Sequence, residues 1–177
     1  MSDSLPELFE KLDAYGEPIP FDELKQHLEN TEIDWEIVEP YVRFNAERYT
    51  RNLMHASDHY HALILCWQNG QRSPIHDHRG SACGVRVLRG KGVETKFEMS
   101  PNGLVVPTTT SELPEGAICG SLDSDTHQIS NLQAQGDLIT LHIYSPPLLV
   151  MGEYSLSSPT VTEFRDPVFE FSLGSGI

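Results

Sequence analysis

Ile75-His76-Asp77-His78 is the stretch with the clearest capacity for chemistry. In an extended chain, residues i and i+2 point to the same side. His76 and His78 could then share one metal ion, with Asp77 facing away as a poor third ligand. Such pairs are also common on surfaces, so the reading needs a further donor. His127-Gln-Ile-Ser-Asn131 supplies one further along the chain. Gly70 precedes the pair and Gly90 follows it, marking turns on either side.

Two other stretches carry polar groups in phase. Tyr49-Thr50-Arg51-Asn52-Leu53 puts Tyr49 and Arg51 on one face if extended. Inside a barrel, Arg51 would be a buried cation requiring an anion. The plainer reading is a salt bridge with one of the chain's many carboxylates. Thr140-Leu-His142-Ile-Tyr144-Ser-Pro-Pro147 alternates, with Thr140, His142 and Tyr144 on one face and Leu141 and Ile143 on the other. Three polar groups in a row suggest a hydrogen-bonded relay. A wet outer face is the alternative.

These side chains need a scaffold, and the chain reads in two parts. Leu5, Leu8, Phe9 and Leu12 recur at helical spacing, and so do Phe21, Leu24 and Leu28. A third short segment spans Thr31 to Tyr41, opening with Thr31 and Asp34 and carrying Trp35, Ile37 and Val38. Two or three short acidic α-helices are therefore expected over residues 1–45. From about Arg48 the pattern changes to short runs between Gly, Pro, Asn and Ser clusters. His61–Trp67, Gly84–Leu88, Val93–Glu98, Gly103–Thr109, Gly116–Ile118, Leu138–Tyr144 and Val168–Ser172 read as strands. A mostly β fold follows, a small jelly-roll-like β-barrel over 46–172 with the helices as a cap. The tail Ser172–Ile177 is expected to be loose.

The 177 residues suit one domain, 1–177. A net charge of −14 gives no basic stripe for nucleic acid and no patch for anionic lipid. An anionic substrate would therefore need a locally positive site, which adds weight to a metal or a buried arginine. No segment reads as a signal peptide or a membrane span. Cys66, Cys83 and Cys119 are too few and too odd in number for a disulfide framework. A cytoplasmic protein is expected, and nothing in the sequence demands more than a monomer.

Gly70, His76, His78, Gly90, His127 and Asn131 together resemble the two motifs of the cupins. One position departs: Cys83 stands where cupins usually carry a glutamate ligand. Three neutral imidazoles would then leave about two positive charges on a divalent ion. Open coordination positions suit a catalytic metal and anionic ligands. Imidazole alone does not choose among iron, zinc, copper and nickel. Cys83 could instead be a buried free thiol, or a fourth ligand closing a structural zinc site.

Tyr49-Thr-Arg51-Asn-Leu53, Cys66-Trp67, Ile75-His-Asp-His78, Ser81-Ala-Cys83 and Leu141-His-Ile-Tyr-Ser-Pro-Pro147 run in the order of the type I cysteine dioxygenases, which the sequence resembles. The resemblance implies that His76, His78 and His127 bind Fe(II). It implies that Arg51 holds a substrate carboxylate with help from Tyr144 and Tyr49. Cys83 would lie beside Tyr144, where family members form a thioether crosslink. His142 would hydrogen-bond Tyr144, with Thr140 in place of the family's usual serine. Ser145-Pro146 matches a cis peptide, and Met151 a position near the substrate. The implied reaction takes L-cysteine and O2 to cysteine sulfinate. Rival readings are a dioxygenase for another small thiol such as 3-mercaptopropionate, whose relatives carry glutamine in place of Arg51, and a non-catalytic metal-binding cupin.

Overall fold

The computed structural model describes residues 2–122, 125–165 and 167–169. The first part of the chain is helical: α1 (Leu5–Asp13), α2 (Phe21–Glu29) and α3 (Trp35–Val38), followed by a 3₁₀ turn (Glu39–Tyr41). Ser4 and Glu7 form a reciprocal capping box at the start of α1. The third helix departs from expectation. Asp34, not Thr31, is its cap, accepting a 2.9 Å hydrogen bond from the Glu36 amide. Thr31 instead bridges to Asp3 and donates its hydroxyl to the His27 carbonyl.

The strands are β1 (Thr50–Ala56), β2 (His61–Trp67), β3 (Ile75–His76), β4 (Ala82–Arg89), β5 (Gly92–Met99), β6 (Val105–Leu113), β7 (Ile118–Ser121), β8 (Thr126–Ser130), β9 (Leu138–Ser145), β10 (Met151–Tyr154), β11 (Thr162–Phe164) and β12 (Val168–Phe169). They form two six-stranded sheets, ordered β12-β1-β2-β9-β4-β7 and β11-β10-β3-β8-β5-β6. The expected jelly-roll-like barrel is thus a pair of facing sheets; among the described residues no ladder closes them into a barrel. The expected run Gly116–Ile118 is mostly turn, with Gly116 at φ 83°, and β7 begins only at Ile118. The expected strand Val168–Ser172 is described only at Val168–Phe169, and the tail Ser172–Ile177 lies outside the described residues. No helix among the described residues is long and apolar enough to cross a membrane.

Two cores divide the alternating side chains of the first sheet. Ala62, Ile64, Cys66, Ile139, Leu141 and Ile143 pack outward against the leucines of α1 and α2. Leu63, Leu65, Trp67, Cys83, Val85 and Tyr144 point inward and meet Ile129 and Met151 from the second sheet. All eight residues of β9 are consequently buried. The helical cap hides the aliphatic face of β9, which leaves Thr140, His142 and Tyr144 on the interior face. That settles the choice between a relay and a wet surface.

Close seating of α2 depends on a glycine pair. Gly84 and Gly120 are opposite each other on β4 and β7. A Cβ on Gly84 would come within 2.8 Å of Leu28 Cδ1, and one on Gly120 within 2.3 Å of Phe21 Cε2 and 2.5 Å of the Cys83 carbonyl. Because Gly84 faces the helix, its neighbours Cys83 and Val85 face the interior. Gly120→Ala should therefore destabilise the fold by about 1–3 kcal/mol through overpacking. Urea unfolding measures it, and an unchanged midpoint would show that α2 does not sit on this pair.

A three-histidine metal centre

Pairing of β3 with β8 puts His76 directly opposite His127. Directly opposed residues of an antiparallel pair share a face. β3 itself ends at His76, so His78 is not on a strand as the i, i+2 reading expected, yet it converges on the same point. The three ring centroids lie 4.8–5.2 Å apart. One ligand atom from each lies within 4.8 Å of the others, and all three residues are buried.

Each ring is oriented by its surroundings. His76 Nδ1 hydrogen-bonds the Pro74 carbonyl at 3.0 Å. His127 Nδ1 hydrogen-bonds Glu94 Oε1 at 2.8 Å. Neutral imidazoles that donate there present a bare Nε2 to the centre. Two nitrogens, His127 Nε2 and His78 Nδ1, are buried with no hydrogen-bond partner in the protein. A buried polar atom left so costs about 1–3 kcal/mol. A shared metal ion satisfies both nitrogens, and the donor set fits one.

Asp77 faces the other way, as its place between the two histidines demands. It accepts from the Gly152 amide at 2.8 Å and the Tyr154 hydroxyl at 2.8 Å, tying the ligand loop to β10. Asn131 is fully buried and donates to the carbonyls of Trp67 and Gly136, both at 3.0 Å. It therefore clamps the end of β8 and ligates nothing. Gly70 and Gly90 both take positive φ, as turn glycines should.

Cys83 lies outside the ligand cluster. It is directly opposite Tyr144 across β4 and β9, and its Sγ is 3.9 Å from His142 Nδ1. Burial, and then the neighbouring Cys119, push its thiol well above the ordinary range. A protonated thiol beside the ring of Tyr144 is no zinc ligand.

A small cavity joins the pieces. Tyr49, Arg51, Trp67, His76, His127, His142, Tyr144 and Met151 line a space of about 10 Å³, room for about one water molecule. A molecule the size of an amino acid enters only if these side chains part. Arg51 is 3% exposed, with its guanidinium carbon 5.3 Å from the Tyr144 ring centroid. Tyr49 stacks on Trp67 at 4.2 Å. His142 bridges Thr140 Oγ1 and Tyr144 Oη, both at 3.0 Å. A wider groove of about 550 Å³ around Phe97, Met99 and Tyr154 contains none of the histidines.

Glu94 was not foreseen. Its strand was legible, but a carboxylate in a solvent-rich acidic chain reads as a surface group. The available signal was phase: Glu94 pairs with Ile129, whose side chain belongs to the inner core. Burial alone would raise the Glu94 carboxyl; the hydrogen bond and charge of His127 outweigh it and hold it low.

The sequence family agrees with this geometry. Residues 13–157 match the family described as cysteine dioxygenase type I. Cysteine dioxygenase type 1 of Homo sapiens is 32% identical over 136 residues, covering 75% of this chain and 68% of the human protein. Its Danio rerio counterpart is 35% identical over 112 residues, covering 60% of this chain and 56% of the zebrafish protein. A Klebsiella pneumoniae protein with a double-stranded β-helix domain superposes with a TM-score of 0.53 at 16% identity, over 67% of this chain and 94% of that one. That likeness bears on the fold alone.

Two measurements follow from the centre. Burial first, and then the neighbouring His127, push His76 down to about 3 from 6.5, and His78 moves the same way. The unfolded chain takes up these protons below about 6.5 while the folded chain does not, so stability falls as pH falls from there toward about 3. The depressed Glu94 carboxyl adds loss in the same direction. A melting temperature of the metal-free protein that stays flat through that window would contradict neutral imidazoles. Glu94→Gln should weaken metal affinity about 10- to 100-fold in a chelator competition, and an unchanged affinity would make Glu94 a bystander. The chain belongs to the type I cysteine dioxygenases, a family of dioxygenases, and it carries the fold and three-histidine metal site of a cysteine dioxygenase-like enzyme.

Proposed function

We propose that the protein is a non-haem Fe(II) thiol dioxygenase that converts L-cysteine and O2 to cysteine sulfinate (3-sulfinoalanine). The observation that carries this reading is Arg51, a guanidinium 3% exposed that lines the same small cavity as His76 and His127. A buried cation beside a metal site calls for a substrate with its own carboxylate close to a metal-seeking group. Cysteine has both, two carbons apart.

Each side chain then has a task. His76, His78 and His127 hold Fe(II), which supplies open positions for a thiolate and O2 and the electrons that activate oxygen. Arg51 pairs with the carboxylate, its planar fork suited to two parallel hydrogen bonds. Tyr144 and Tyr49 border the same pocket and fix the pose. His142, buried and held well below its ordinary pKa by burial and by Arg51, stays neutral and keeps Tyr144 aligned. Cys83 opposes Tyr144, the juxtaposition that a thioether between them would need. The reaction balances simply: the thiolate sulfur gives up four electrons, O2 takes them, and both oxygen atoms end on sulfur.

Anaerobic loading with Fe(II), followed by oxygen uptake with L-cysteine, should yield one sulfinate per O2 consumed. An iron-replete sample that makes no sulfinate overturns the proposal. Arg51→Gln should lower kcat/KM for L-cysteine about 10- to 100-fold, the loss of a hydrogen-bonded charge. The preference for cysteine over 3-mercaptopropionate should narrow or reverse. Undiminished cysteine turnover in that variant removes Arg51 from carboxylate binding.

A further inference from the structure

The relay on β9 has a direction that can be read from donor counts. The Trp67 indole N–H can only donate. It donates to Thr140 Oγ1 at 3.1 Å. Thr140 is 1% exposed, so its own hydroxyl proton needs an acceptor within the protein. His142 Nε2 stands 3.0 Å away to take it. Nε2 must then be bare. His142 is neutral, since burial and Arg51, with His127 and His76 beyond it, disfavour the imidazolium. A neutral imidazole with a bare Nε2 carries its proton on Nδ1. That proton faces Tyr144 Oη at 3.0 Å, with Cys83 Sγ at 3.9 Å as a weaker second acceptor. Tyr144, accepting from His142, keeps its phenolic proton to give to another group.

We infer that Trp67 is a positioning residue whose indole N–H fixes the tautomer of His142 and so makes Tyr144 a hydrogen-bond donor toward the ligand at the three histidines. Without that N–H, the Thr140 hydroxyl can turn and accept from His142. The imidazole proton then moves to Nε2, Nδ1 accepts from Tyr144, and the phenolic proton points away from the cavity. One N–H, 73 residues distant in sequence, sets the polarity of the whole row. The stack of Tyr49 on Trp67, with planes 9° apart, holds the indole in the orientation this needs. Sequence pattern could not show this, because donor direction depends on which groups meet in space. The consequence for turnover rests on the proposed function; the tautomer assignment does not.

Long-range ¹H–¹⁵N correlation on the metal-free, full-length chain with labelled histidine reads each tautomer directly, with His142 assigned by loss of its signals in His142→Asn. Wild type should show His142 protonated on Nδ1. Trp67→Phe keeps an aromatic ring against Tyr49 and should shift His142 toward Nε2–H. Thr140→Ser keeps the hydroxyl and should retain both tautomer and rate. In the Fe(II)-loaded enzyme, Trp67→Phe should lower kcat about tenfold or more, with KM changed less than about twofold. Wild-type His142 protonated on Nε2 overturns the inference, and that spectrum decides even if the variant fails to fold. A folded Trp67→Phe with an unmoved tautomer, or a moved tautomer with undiminished kcat, overturns it as well. A wild type with the expected tautomer but no sulfinate would instead sink the proposed function.

Discussion

Three imidazole rings within 5.2 Å of one another, out of contact with bulk water, cannot all carry protons. Burial and mutual repulsion both favour the neutral form, and neutral imidazoles so placed leave lone pairs converging on one point. No protein carboxylate or thiolate joins them in the cluster. The positive charge of a bound divalent metal therefore stays available to exogenous anions. Much of the interior can be understood as the consequence of holding that arrangement still.

The supports come from outside the cluster. Pro74 and Glu94 orient two of the rings through their far nitrogens. Asp77, turned away from the metal, pins the loop between β3 and His78 to β10. On the facing sheet, the helical cap buries the aliphatic side of β9 and so commits its polar side to the interior. The glycine pair on β4 and β7 lets α2 approach closely enough to complete that cover. A segment remote from the chemistry thus determines which face of the relay meets the cavity.

Much of this was legible in the sequence for identifiable reasons. The His-x-His spacing, the alternation Thr140-Leu-His142-Ile-Tyr144 and the heptad-like leucines of the first helices are local patterns with a fixed geometric meaning. Where the reading failed, the cause was nonlocal. Asp34 rather than Thr31 capped the third helix because Thr31 was claimed by Asp3 and His27. The sheets were read as a barrel because strand count does not reveal which edges remain unpaired. Glu94 was passed over because its partner lies 33 residues away, across a pairing no periodicity announces. Cys83 was left open between free thiol and metal ligand, and its register opposite Tyr144 decided against the ligand.

The central claim is that the resting metal has imidazoles and no protein sulfur, and that the thiolate comes with the substrate. Iron K-edge X-ray absorption on the anaerobic Fe(II) protein tests this directly, before and after L-cysteine is added. The account predicts a first shell of nitrogen and oxygen alone in the resting protein, and one new sulfur scatterer once cysteine is present. A sulfur in the resting shell would place Cys83 on the metal, and no sulfur after cysteine would separate the substrate thiolate from the iron; either result contradicts the account.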